Sequence, residues 1–179
     1  MKKTLLLALL FVAISASAQN ETGSSSVIPG RTSFFAEVGG PGILFSANID
    51  TRFKPGHLGW GGRIGLGFVT ADENKDDGSG YPYYEPASVV TVPVQVNYIF
   101  GKSSSPHTFE AGAGFTYMGR KLEILNFYDD RTSNFFGTAS FMYRRQPVNG
   151  GFTWRIGFTP LIAKGYIQPL GAASVGYNF

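Results

Sequence analysis

The chain has 179 residues, 24 glycines, 15% aromatics, two histidines, no cysteine and a formal charge of +3. Without cysteine there is no disulfide framework, no thiolate metal site, no cysteine nucleophile and no lipidated cysteine. Glycine stands well above the usual share of about 7% without a collagen period or low complexity, which argues against a soluble helical protein.

Lys2 and Lys3 precede the apolar run Leu5–Ile14 and the small residues Ser15-Ala16-Ser17-Ala18. That order predicts a secretory signal peptide over 1–18, cut after Ala18; the apolar run is too short to span a bilayer as a helix. Residues 1–18 hold two lysines and no acid, so the remaining chain carries +1. No basic patch remains to suggest a nucleic-acid partner. Residues 19–32 are expected to be a periplasmic tail, and 33–179 a single barrel domain.

Eight strands are predicted, over roughly 33–39, 43–53, 58–70, 87–100, 107–118, 134–145, 151–160 and 168–179. Successive strand side chains point to opposite faces, so each strand divides by parity. One face collects Phe34, Ala36 and Val38, then Ile43, Phe45, Ala47, Ile49 and Phe53, then Trp60, Ile64, Leu66 and Phe68. It continues through Val90–Tyr98 at every second position, Phe109, Phe115, Tyr117, Phe141, Tyr143, Phe152, Trp154, Ile156, Phe158, Val175, Tyr177 and Phe179. The other face holds Glu37, Asp50, Arg52, Arg63, Glu110, Arg144 and Arg155, with Gln95 and Asn97. All in-strand charges are expected on this second face, with Gly61, Gly65, Gly67, Gly112, Gly114, Gly157 and Gly176 among them.

Large aromatics near strand ends match the interfacial girdles of a membrane barrel. An eight-stranded lumen is only just wide enough for side chains, and glycine makes room there for Arg and Glu. A soluble barrel would put the aromatics inside and need far more surface charge. Connections alternate: 54–57, 101–106 and 146–150 are short, while 72–85 and 119–133 are long and polar. Outer connections 39–42 and 161–167 are expected to be short. The reading is an all-β, eight-stranded, antiparallel up-and-down transmembrane β-barrel with both termini in the periplasm.

The C-terminal Ala172-Ala173-Ser174-Val175-Gly176-Tyr177-Asn178-Phe179 resembles the signal read by the outer-membrane barrel assembly machinery, with Ser174 where Gly is usual. Tyr177 and Phe179 carry it, which implies that machinery and periplasmic chaperones as partners during biogenesis. Three segments carry a wider likeness: Glu37–Gly42, Pro93–Tyr98 and Gly151–Pro160. With them the chain resembles the small outer-membrane β-barrel family common in Bacteroidota. The resemblance implies an eight-stranded barrel in contact with outer-membrane lipid and lipopolysaccharide, and little about activity.

Candidate sites are few. The inward charges Glu37, Asp50, Arg52, Arg63, Glu110, Arg144 and Arg155 are expected to pair as a salt-bridged plug, because isolated charges in a narrow lumen are costly. The alternatives are a narrow ion or small-solute path and a secretion-associated barrel. Tyr81, Tyr83, Tyr84, Phe127 and Tyr128 are the outer-loop recognition candidates. Asp72, Asn74 and Asp76 alternate as in a calcium loop, but Gly78 is one place late and Tyr83 stands where the closing Glu belongs. A solvated acidic loop is expected instead, with no metal and no cofactor. His57 and His107 both fall beside periplasmic turns, and no G-x-S-x-G occurs, so no enzyme is expected. Pro93 falls mid-strand and predicts a bulge. A monomer is favoured.

Overall fold

A computed structural model describes residues 30–75, 83–121, 123–125, 127 and 132–179. The expected signal peptide and most of the expected tail lie outside the described residues, as do Tyr81 and Tyr128. In chain order the strands are β1 (Thr32–Gly39), β2 (Phe45–Arg52), β3 (Gly59–Lys75), β4 (Tyr83–Gly101) and β5 (His107–Met118). They continue as β6 (Phe135–Arg145), β7 (Gly151–Phe158), β8 (Leu161–Ala163), β9 (Tyr166–Gln168) and β10 (Gly171–Asn178). A single 3-10 turn, Gly40–Gly42, follows β1.

Every pairing is antiparallel, and β1 closes the ring against β10 from Ser33↔Asn178 to Gly39↔Ala172. The ring order is β1, β2, β3, β4, β5, β6, β7, β10. β8 and β9 are continuations rather than extra staves. Phe141↔Phe158 and Gly137↔Ile162 keep one register along β6, and Gly171↔Phe158 and Gln168↔Leu161 keep one register within the last hairpin. Two long strands are therefore interrupted opposite each other, at Pro160 and Pro169, which supply no ladder N–H. The result is the closed eight-stranded barrel.

Several expectations need correction. Residues 161–167 are not a short loop but a hairpin extending the wall. It turns at Lys164 and Gly165, whose φ of 51° and 76° are the two positive values of a tight type I′ turn. The hairpin of β3 and β4 is longer than expected, pairing out to Lys75↔Tyr83. Tyr83 and Tyr84 thus belong to a strand. Ile43 does not open the second strand on the outer face; it sits at φ 78° and is buried inside. The turn Gly40–Gly42 folds into the mouth and carries Ile43 with it. No bulge forms at Pro93: Ile64↔Val94 and Gly67↔Thr91 share one register across it. Arg145 is an exception to the charge rule. It has outward parity, at the last position of β6, where the wall ends.

Outward positions keep large apolar side chains exposed, among them Trp60, Leu66, Phe109, Phe135, Phe141 and Phe152. The inward glycines face bulky partners directly across the ladder. Gly61 opposes Arg52, Gly65 opposes Asn48, and Gly112 opposes Asn97. Gly114 opposes Gln95, Gly157 opposes Met142, and Gly176 opposes Phe35. A Cβ at any of these positions would run into that neighbour. Glycine is the complement of each large inward side chain, leaving the space that side chain occupies.

Candidate functional site: the lumen and its outer mouth

The seven expected lumen charges are all inside, each 2% exposed or less. They arise from six staves, β1, β2, β3, β5, β6 and β7, and converge because the ring is narrow. Arg144 on β6 crosses to β2 and reaches Asp50 at 3.0 Å, while the same nitrogen is 3.0 Å from Glu110. Its other terminal nitrogen donates to Ser33 at 2.7 Å. Glu110 also receives Arg63, and Arg155 at 3.3 Å, so three guanidiniums meet one carboxylate. Arg155 bridges on to Glu37 at 3.1 Å. Asp50 takes Arg52 directly, with Arg63 at 3.6 Å.

Neutral side chains complete the lattice. Arg52 donates to Asn97 Oδ1 at 2.7 Å, and Asn97 Nδ2 donates to Asp50 at 3.1 Å. Arg63 donates to Gln95 at 3.1 Å, and Gln95 donates to Thr138 at 3.0 Å. Phe35 lies under Arg155, whose guanidinium carbon is 3.5 Å from the ring centroid. Four arginines face three carboxylates, leaving the group at +1. Each charge has an oppositely charged partner, which is the first condition for burying ions, while Glu37 Oε2, Arg63 Nε and Arg144 Nε have no hydrogen-bond partner among the described residues.

The parity reading found the seven charges but missed what lies outward of them. Positions of the same parity nearer the mouth are apolar. Val69, Val89, Met118, Phe136 and Leu161 pack with Ile43, Ile124 and Phe127 into one buried cluster. The Gly40–Gly42 turn sits beside it, held by Thr116 Oγ1 donating to Pro41 O at 2.6 Å and Thr91 Oγ1 donating to Gly42 O at 3.0 Å. A composition switch from charged to apolar along the inward rows of β3, β5 and β6 was the available signal.

Phe127 is the clearest correction among the candidates. It is fully buried, 4.9 Å from Phe136 and 5.5 Å from Tyr166 between ring centroids, so it anchors its loop instead of meeting a partner. An exposed phenyl ring had a closer apolar cluster to join than any external surface. Phe127→Ala is expected to release residues 119–133, read as faster protease cleavage there while the barrel stays folded. Unchanged cleavage would count against the anchor.

The two histidines lie beside the short turns, as expected. His107 Nδ1 and the Tyr143 hydroxyl are hydrogen-bonded on the outside. His57 is buried in the turn between β2 and β3; burial, with the Arg144 guanidinium adding to it, holds its imidazole below the ordinary histidine range. Neither converges with a serine or a carboxylate as a nucleophile site requires. Among the described residues no group of His, Asp and Glu is arranged to hold a metal ion. Of the expected acidic loop, Asp72–Lys75 are strand at the outer end of β3, and residues 76–78 lie outside the described residues. On the outer face, Trp60 and Tyr98 meet at 5.2 Å, Phe109 and Tyr143 at 5.7 Å, and Tyr177 and Phe179 at 5.2 Å, near the end where the termini meet.

No known protein family and no curated protein matches the sequence. The structure is similar to the crystal structure of the N-terminal β-barrel domain of Pseudomonas aeruginosa OprF, with a TM-score of 0.55 and 11% identity. The match covers 85% of this chain and 98% of that domain. The fold is that of a small outer-membrane β-barrel. At this identity the likeness extends to architecture alone. The aromatic-rich exterior and charged interior described above are properties of this chain's own residues.

Proposed function

We propose that this chain is an integral outer-membrane barrel whose lumen is closed to solutes and whose task is structural or surface-interacting. The observation that supports it is the set of large side chains crowded into the lumen. A lattice of seven buried charges crosses the ring, and an apolar cluster lies beyond it under an inward-folded turn. Export follows from a cleaved signal over residues 1–18, and insertion from the C-terminal aromatics Tyr177 and Phe179. Surface contacts fall to the outer end of β4, with Tyr83 and Tyr84, and to the second and third outer loops, with Tyr81 and Tyr128.

Planar-bilayer recording of the purified protein tests the closed lumen. No steps above the bare-membrane baseline are expected, and steady single-channel steps would assign a narrow channel instead. Phe179→Ser tests the assembly signal: less barrel is expected in the outer membrane, with chain accumulating in the periplasm. Equal amounts in the membrane would remove Phe179 from that role.

A further inference from the structure

One buried ionisable group takes no part in the charge lattice. His57 is the single buried residue of the turn 53–58; Phe53, Lys54 and Pro55 before it are exposed. The turn thus folds its imidazole inward, at the end of the lumen where the termini meet. Among the described residues His57 Nε2 has no hydrogen-bond partner. Gln146 Oε1 is likewise buried and unpartnered, two residues beyond Arg144 at the same end of β6.

We propose that His57 is an acid-released latch: neutral, it holds the turn 53–58 across the inner end of the lumen, and protonated, it leaves with the turn for the periplasm. The inference rests on the reading that the lumen is closed. The surroundings accept an imidazole and reject an imidazolium. Arg144, reaching in from β6, is the charge that acts on the ring. On the ring's own hairpin Asp50 is taken by Arg52, Arg63 and Arg144, and Lys54 is exposed. Arg52 donates to Gly59 O at 3.0 Å, and Arg31 donates to Arg52 O at 2.7 Å. The turn 101–106 adds Lys102, with His107 after it on the outside, and the turn 146–150 adds Gln146. None of these three short turns contains an acid. A proton on His57 therefore meets Arg144 inside a lattice already at +1, with no carboxylate at this end left to pair with it. Burial and Arg144 together hold the imidazole below the ordinary histidine range.

The backbone permits release. Gly56 and Gly59 flank the ring at φ 115° and 91°, and a Cβ at either would meet nothing within 4 Å, so the turn is not wedged against a neighbour. Phe53 N donating to Trp60 O at 2.9 Å closes it. In the released turn His57 regains an ordinary value of about 6.5. The latch is therefore at full strength above that pH. Each unit below it multiplies release about tenfold for as long as the latched ring stays neutral.

The test is hydrogen exchange at the Phe53 amide of the whole protein in lipid nanodiscs, corrected for the intrinsic pH dependence of exchange. Protection in the wild type is expected to fall about tenfold between pH 7.5 and 5.5. His57→Phe, a buried ring that takes no proton, is expected to keep its protection across that range. His107→Phe is expected to lose protection as the wild type does. Protection that does not change with pH in the wild type, an amide already unprotected at pH 7.5, or an equal fall in His57→Phe would each overturn the latch. Single-channel steps at neutral pH would instead overturn the closed lumen on which it rests.

Discussion

Glu110→Ala is expected to destabilise the barrel by about 4 kcal/mol, more than any other single change in the lumen lattice. Glu110 is where Arg63, Arg144 and Arg155 converge, and all four side chains are buried. Removing the carboxylate leaves four guanidiniums facing two acids, so the uncompensated charge rises from +1 to +2. Arg144→Ala breaks as many contacts, to Asp50, Glu110 and Ser33. It leaves three arginines against three acids, however, and its cost is expected to be smaller, about 3 kcal/mol. The ranking is the informative part. It is read from urea unfolding in lipid vesicles, or from the temperature at which the folded band shifts on a gel. If Arg144→Ala proves the worse variant, net charge is not what the lattice balances. If neither moves the transition, the charges are not paired as described.

Gly176→Val is the second large effect, expected to cost about 3 kcal/mol or more and to reduce the folded yield. A Cβ at Gly176 would meet the backbone of Phe34 and the Cβ of Phe35 across the closing ladder between β1 and β10. The nearest obstacles are backbone and the first carbon of a packed ring, so no rotamer change can relieve them. Phe35 is itself held beneath Arg155, which ties the clash to the charge lattice. Substitution at Gly137 offers the comparison: that glycine is at an outward position, and an added Cβ makes only ordinary contacts of 3.5 Å or more. Gly137→Val is expected to fold normally. Equal folding of the two variants, measured by heat-dependent gel mobility, would remove lumen crowding as the reason for the glycines.

Much of this was legible in the chain. Strict alternation along Phe34-Phe35-Ala36-Glu37-Val38 placed Glu37 inside and Phe34 outside without any knowledge of neighbours. The same rule held around the ring because each stave is long enough to commit its whole parity set. The glycine excess also had a local reading, room in the lumen, that the ladder partners of Gly61, Gly112 and Gly176 bear out. Ile43 and Phe127 failed the same treatment. Both sit in connections, where backbone turns at positive φ or long loops break the period of two. Their burial depends on a space in the mouth bounded by Val69, Met118 and Leu161 from three other strands.

The sequence by itself determined the alternation, the eight staves, the sign of every inward charge and the apolar exterior, because side-chain direction in a strand is a property of consecutive residues. Only the tertiary structure decided which arginine meets which acid, that the last hairpin continues past its two prolines, and that Ile43 and Phe127 roof the lumen. Closing the ring is what sets those distances. Arg144 and Asp50 are separated by 94 positions and meet because β6 and β2 face each other across a narrow barrel.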